Sequence, residues 1–325
     1  MNHRERIHAA IRSEPTDRVP VALWRHFPND DLNAEKLASQ VVGFQNKFDF
    51  DFVKVTPASG FPAEMYGATF KDGQNREGTR AYISRPVNVI GDWDKIAPLE
   101  ESNLVFQREN AALKIVRAKL GADVPILQTV FAPLNTAHNL AGERLFADLL
   151  AQPRALHRAL EAITETTVRF ALASLKSGAD AIFYATQMAT SKYFNEEEFR
   201  EFGEPYDRKV LTAIRAAKPD FILLHVHGIN TYFDVLAKYP VDIINWHDRR
   251  TAPTLKEARA RFNGALMGGL HELDTLLGNS RDAIIAQARD AISQTSGKGF
   301  ILGAGCVIQV DMPEKNIGAV IDATK

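Results

Sequence analysis

Residues 153–184 read PRALHRALEAITETTVRFALASLKSGADAIFY. Apolar residues recur at helical spacing from Pro153 to Ser177, and Pro153 suits the first turn of a helix while Gly178 ends it. Ala181–Tyr184 is short, apolar and continuous rather than alternating. Such a strand is typical of a parallel sheet that is covered on both faces. A long helix that leads through a glycine into this kind of strand indicates an α/β protein.

The same alternation recurs along the chain. The other predicted strands are Val19–Trp24, Phe52–Thr56, Pro125–Val130, Phe221–Val226, Val241–Trp246, Ala265–Gly268 and Phe300–Leu302. The other predicted helices are Asn33–Phe48, Asn103–Leu120, Asn195–Ala217 and Ser280–Ser293. About eight alternations of strand and helix in roughly 300 residues predict a (β/α)8 TIM barrel. An open doubly wound sheet is the rival fold, and the absence of a G-x-G-x-x-G opening disfavours it.

Residues 60–100 interrupt this alternation. Glycines recur there among β-branched and aromatic residues, which indicates a small β-hairpin insertion. No stretch has the composition of a linker, so we expect residues 1–325 to form one barrel domain.

Composition restricts the class of protein. The 325 residues carry 39 Lys and Arg against 40 Asp and Glu, and this balance disfavours binding to nucleic acid or to an anionic membrane surface. The single cysteine excludes an internal disulfide, and no apolar run approaches the length that spans a bilayer. We therefore expect a cytoplasmic enzyme.

Polar residues follow nearly every predicted strand. Functional groups of TIM barrels lie at the carboxyl ends of the strands. Six of the nine histidines and the only cysteine occupy such positions. They are His26, His138, His225, His227, His247, His271 and Cys306. This clustering predicts an active site at that end of the barrel.

The sequence His225-Val226-His227 stands out within this set. Residues two apart on a strand project to one face, so both imidazoles point the same way. Two buried histidines need partners, and a hydrogen-bonded pair in the core would satisfy them. The alternative is a metal site, to which Cys306 could add a thiolate across the mouth of a closed barrel. The residues alone leave both interpretations open.

A set of short motifs occurs from one end of the chain to the other: Arg4–Arg6, Asp17–Val21, Gly178–Ala181, Glu198–Phe202, Pro205-Tyr206, Val241–Trp246, Ala265–Leu270 and Pro313–Ile317. These motifs resemble those of the uroporphyrinogen decarboxylase superfamily, which adopts the (β/α)8 barrel and also contains zinc-dependent methyltransferases that act on methyl-corrinoids. The resemblance covers nearly the whole chain.

For a true decarboxylase, the resemblance implies two N-terminal arginines and an aspartate after the next strand. Here Arg25 matches the first arginine, Asn29 stands at the second, and residues 56–59 contain no aspartate. His138 stands at a tyrosine position and Cys306 at that of a late histidine. A tetrapyrrole with many carboxylates needs several cationic partners. We therefore do not expect uroporphyrinogen decarboxylation.

For the methyltransferase branch, the resemblance implies a His-x-Cys motif and a distant cysteine as zinc ligands. This chain has His225-x-His227 and Cys306, so one cysteine is replaced by histidine, which also binds zinc. The predicted metal site is therefore Zn²⁺ held by His225, His227 and Cys306. We expect the fourth position to hold water, a substrate atom or a nearby Glu or His.

Two functional hypotheses follow. The first is a methyltransferase that moves a methyl group from a methyl-corrinoid, carried by a partner protein, or from a similar donor to a small thiol. Arg25 would hold an acidic group of the substrate, and Glu272 or Asp248 would orient a ligand. The alternative is a decarboxylase or other lyase of a small acid, in which Arg25 anchors the carboxylate and His138 or His227 protonates the product. A binding protein without chemistry is a weaker third reading, and the possibility of a homodimer is left open.

Overall fold

The computed structural model describes residues 1–278 and 280–325. Its strands are β1 Val53–Val55, β2 Thr69–Asp72, β3 Arg80–Ser84, β4 Ile126–Phe131, β5 Ala181–Thr186, β6 Ile222–Val226, β7 Ile243–Trp246, β8 Ala265–Leu270 and β9 Phe300–Ala304. β1 and β4 to β9 form one curved parallel sheet in chain order. Strands β5 and β6 are buried along their whole length, which explains their continuous apolar sequences. The parallel α/β architecture predicted from the sequence is confirmed.

Helices connect the strands of the sheet. They are α1 His3–Ile11, α2 Ala34–Phe48, α3 Phe61–Met65, α4 Leu104–Leu120, α5 Pro133–Ala141, α6 Arg144–Ala151, α7 Pro153–Lys176, α8 Glu196–Phe202, α9 Glu204–Ala216, α10 Phe233–Leu236, α11 Leu255–Arg259, α12 Thr275–Gly278, α13 Arg281–Thr295 and α14 Glu314–Asp322. Within residues 1–278 and 280–325, no helix combines the length and apolarity that crossing a bilayer requires.

The predicted helix Asn195–Ala217 is two helices, α8 and α9, separated at Gly203. Pro205 lies in the first turn of α9, where its missing N–H costs nothing, whereas inside one continuous helix it would remove a hydrogen bond and clash with the preceding turn. The capping box predicted at Asn195 and Glu198 is present.

The predicted strand Val19–Trp24 is reduced to a single bridge between Val21 and Leu302. Pro20 has no N–H to donate, and the N–H of Val21 bonds to the carboxylate of Asp51 rather than to a strand. The segment is nevertheless bonded on both sides. The N–H of Leu302 donates to Pro20 O (2.8 Å), and the N–H of Asp51 donates to Val21 O (2.9 Å).

The predicted insertion at residues 60–100 contains the antiparallel pair β2 and β3, flanked by α3 and a 3₁₀ helix at Ile90–Lys95. Trp93 anchors it, because its buried indole N–H donates to Asp148 (2.8 Å). The hairpin prediction is confirmed.

Candidate metal centre

Four potential metal ligands converge at the carboxyl edge of the sheet. His225 lies in β6, His227 follows it, His247 follows β7 and Cys306 follows β9. One nitrogen or sulfur atom from each residue lies within 4.8 Å of the corresponding atoms of the other three. The structure thus brings the three predicted ligands together and adds His247, which the sequence placed at the same edge but did not single out as a ligand.

The spacing of these atoms suits one zinc ion. Zn–N bonds of about 2.0–2.1 Å and Zn–S bonds of about 2.3 Å place tetrahedral donors about 3.3 Å apart for N···N and about 3.6 Å apart for N···S. His247 Nε2 lies 3.3 Å from His227 Nδ1, and Cys306 Sγ lies 3.5 Å from His227 Nδ1 and 3.6 Å from His225 Nε2. The donor set therefore fits Zn²⁺.

Asn245 fixes the orientation of His225. The Asn245 amide nitrogen donates to the carbonyls of Met267 (3.1 Å) and Ala304 (3.0 Å), so its Oδ1 must be the acceptor that faces His225 Nδ1 at 2.6 Å. His225 Nδ1 then carries the proton, and the lone pair of Nε2 points towards Cys306. The imidazole is held in the protonation state that a metal ligand requires.

Glu272, which follows β8, fixes the orientation of His247 in the same way. Its Oε1 accepts a hydrogen bond from His247 Nδ1 (3.0 Å) and another from Arg250 (3.2 Å). Burial opposes ionisation of Glu272, but these two partners outweigh it and lower its pKa. A carboxylate behind a histidine is the usual support of a metal-bound imidazole. Glu272 therefore lies where it could orient His247 for a metal ion.

The protonation states of the two cluster histidines His225 and His227 suit metal binding. Burial and the two neighbouring histidines hold the pKa of His225 well below its usual value, and burial lowers the pKa of His227 to about 4. Both rings are neutral and can donate lone pairs. Desolvation raises the pKa of Cys306 to about 12. A metal ion reverses that effect, because coordination deprotonates a thiol.

A cavity of about 150 Å³ adjoins the cluster. Its wall includes His225, His227 and Cys306 but not His247, which lies behind them. The rest of the wall combines aromatic and polar side chains, chiefly Trp24, Phe131, Phe183, His26, Lys54, Thr56, Thr129 and Gln187. A cavity of this size admits a small molecule.

Arg25 does not reach this cavity. Trp24 and His26 line it, whereas the intervening Arg25 points to the other side, donates to Val310 O (3.0 Å) and packs over the ring of Phe27 at 5.1 Å. The predicted contact with an anionic ligand therefore has no support in this geometry. Asp248 also lies apart from the ligands, and its carboxylate accepts the N–H of Gly269 (2.9 Å).

His138 lies in α5, near the carboxylate of Glu143 (3.7 Å) and the rings of Phe146 and Tyr193. It is not part of the cavity wall. Its part as an acid in a lyase reaction stays a prediction.

Sequence reasoning missed Lys54 and Asn245. Each stands inside an apolar strand, β1 or β7, at a position where a polar side chain needs a reason. A polar residue inside an apolar strand was the sequence signal that could have identified both.

The comparison with known families fits this geometry. A family model described as uroporphyrinogen decarboxylase (URO-D) matches residues 2–325. The chain belongs to this family. The match spans every residue that contributes to the metal cluster and the cavity.

Relatives of this uroporphyrinogen decarboxylase family member include enzymes of two kinds. A methylcobamide:CoM methyltransferase MtbA from Methanosarcina acetivorans is 23% identical over 338 residues, which cover 99% of this chain and 97% of the relative. A uroporphyrinogen decarboxylase from Anaeromyxobacter dehalogenans is 27% identical over 354 residues, covering 99% and 98%.

A solved structure supports the fold of this family member. A methyltransferase from Methanosarcina mazei superimposes with a TM-score of 0.84 at 21% identity, over 100% of this chain and 98% of the other. This similarity concerns the fold alone.

Proposed function

We propose that the protein is a zinc-dependent methyltransferase that moves a methyl group from a methyl-corrinoid or similar donor to the sulfur of a small thiol. The observation that carries this proposal is the convergence of His225, His227, His247 and Cys306 beside a cavity that admits a small molecule, with all but His247 in the cavity wall. Relatives named as methylcobamide:CoM methyltransferases support the choice of reaction.

His225, His227 and Cys306 would hold the metal on the cavity side, and His247 would hold it from behind. A bound Zn²⁺ lowers the pKa of a thiol that joins it, which makes sulfur a nucleophile near neutral pH. The four protein donors would fill a tetrahedral set, so an acceptor thiol would either add a fifth ligand from the cavity side or replace one of the donors.

The chain's own residues prepare this site before any ligand arrives. Asn245 and Glu272 fix the tautomers of His225 and His247. The rings of Trp24 and Phe183, whose centres lie 5.2 Å apart, give the cavity part of its apolar wall. In the proposed reaction an S–C bond forms, the Co–C bond breaks with its electron pair left on cobalt, and the thiol proton is released.

Relatives named methylcobamide:CoM methyltransferases support a methyl-corrinoid as the donor, and we propose that a partner protein carries it. We also propose that the sheet closes into the (β/α)8 barrel through the segment around Val21. Its bonds to Leu302 on one side and to Asp51 on the other support this closure.

Metal analysis and thiol labelling test the proposal together. Purified protein should contain about one zinc per chain, and Cys306, the only thiol, should resist alkylation until a chelator removes the metal. His227→Ala should lose the metal. His271→Ala is the matched control, because His271 also follows a strand but lies outside the cluster, and it should retain the metal.

An activity assay then separates the two kinds of relative. With methylcobalamin and a small thiol, loss of the Co–C absorption and formation of a thioether support the methyltransferase. Release of CO₂ from a small carboxylic acid without methyl transfer would support the lyase instead. Protein without metal, whose Cys306 reacts equally with and without chelator, would overturn the zinc-dependent reaction.

A further inference from the structure

The cavity contains a buried cation without a counter-ion. Lys54 is only 8% exposed, and its Nζ donates to Thr56 Oγ1 at 3.0 Å. Nζ also lies 4.6 Å from the ring centre of Phe183 and 6.0 Å from that of Trp24. Among residues 1–278 and 280–325, no carboxylate pairs with it.

Such an arrangement is costly to the folded protein. An ammonium group loses most of its hydration when it is buried, and the cost is recovered only by an opposite charge with good hydrogen bonds. One hydroxyl and two aromatic rings satisfy a single donor and part of the charge. Burial accordingly lowers the pKa of Lys54 to about 7. The remaining N–H donors of Lys54 are available to a ligand.

The neighbouring groups limit the charge of that ligand. His26 lines the same cavity, and burial together with the charge of Lys54 lowers its pKa to about 3, so its ring is neutral. Its Nδ1 is buried and has no hydrogen-bond partner among the described residues. Glu77 lines the cavity from an exposed position. The cavity therefore offers one buried amine that can carry a positive charge, one exposed carboxylate at Glu77 and several neutral polar groups.

We propose that Lys54, supported by Thr56, forms a subsite for one anionic group, a carboxylate or a sulfonate, on the small molecule bound in the cavity. Combined with the proposed function, on which this part rests, the acceptor is a short thiol acid. Its sulfur lies towards His227 and Cys306, and its anionic end lies at Lys54. A substrate with many carboxylates is excluded, because one cation cannot neutralise them.

Calorimetric titration of the metal-loaded protein tests this subsite with two probes of similar size, 3-mercaptopropionate and 3-mercapto-1-propanol. A charge-assisted hydrogen bond contributes enough to make the acid bind about 10- to 100-fold more tightly than the alcohol. Lys54→Met should reduce this preference to less than about 3-fold, and Lys54→Arg should retain part of it. Lys114→Met, at an exposed position of α4, is the matched control and should keep the full preference.

A second titration uses sodium propionate and metal-free protein, so that neither a thiol nor a metal takes part. Wild type should bind propionate and Lys54→Met should not, with Thr56→Val weakening it as an independent variant should Lys54→Met fail to fold. If Lys54→Met keeps the preference for the acid, or if wild type shows none, the subsite is refuted even where methyl transfer to a neutral thiol succeeds. Lys54-dependent propionate binding in a protein that binds no zinc would refute the proposed function and retain the subsite.

Discussion

Lys54→Met should make the protein more stable, although it removes a side chain of the binding cavity. The unfolded chain carries a lysine with a pKa of 10.5, and the folded protein one with a pKa of about 7. Between these values the unfolded state binds more protons, so the stability of the wild type rises with pH across this window. Below pH 7 the cost of the buried amine is complete, and the difference between the two pKa values corresponds to about 5 kcal/mol.

Methionine has a similar length and no charge, so the variant loses this cost. We expect the free energy of unfolding of Lys54→Met to exceed that of wild type by as much as about 5 kcal/mol at pH 6 and by about 2 kcal/mol at pH 9. The other titratable groups at this end of the cavity, His26 and Cys306, are present in both proteins, so their contributions cancel in the difference.

Urea denaturation followed by tryptophan fluorescence, in the presence of a chelator and at several pH values from 6 to 9, measures the difference. Lys114→Met, on the surface of α4, should differ from wild type by less than about 0.5 kcal/mol at every pH. Two results would contradict this prediction. One is a gain in free energy of unfolding for Lys54→Met that does not shrink as pH rises, and the other is a variant less stable than wild type at pH 6.

Three further substitutions test individual contacts. Glu272→Gln keeps a hydrogen-bond acceptor for His247 but removes the charge, and it should weaken zinc binding about 10- to 100-fold in competition with a chromogenic chelator; unchanged affinity would contradict the orienting role. Arg25→Ala should lower the free energy of unfolding by about 1–3 kcal/mol, through the lost bond to Val310 and the lost ring contact, while leaving the dissociation constant of 3-mercaptopropionate unchanged. A weakened dissociation constant would restore the role predicted for Arg25 from the sequence. Gly305→Ala places a Cβ 2.9 Å from the backbone of His247, so thermal denaturation should show a loss of about 1–3 kcal/mol, and an unchanged melting temperature would show that the strand ends yield.

Periodicity was sufficient to predict most of the fold. Seven of the predicted apolar runs form strands. A strand buried on both faces of a parallel sheet needs a continuous run of apolar residues, and such a run can be recognised in the sequence. The eighth, Val19–Trp24, fails as a regular strand because a side chain, Asp51, takes the N–H of Val21. A bond between a backbone and a distant side chain leaves no periodic signal in the sequence.

The site was predicted in part for a similar reason. Strand ends gather at one edge, so His225, His227 and Cys306 could be grouped without knowledge of any distance. Arg25 was predicted to hold an acidic group of the substrate, but neighbouring residues of an extended segment face opposite sides, and His26 is the one that faces the cavity. That alternation separates Arg25 from the cavity. Lys54 was overlooked because one lysine between two valines gives no indication of which face of the strand is closed to water.

Asn245 would set the order in which the protein folds and binds the proposed metal. Its amide joins β7 to the carbonyls of β8 and β9, and the same side chain fixes the proton of His225. The proposed metal site therefore requires that the last three strands are paired. Zinc would thus bind only after the sheet has formed, and it would not nucleate folding as it does in a zinc finger. Chelation should leave a folded, refillable protein, and heating should release the metal only when these strands separate.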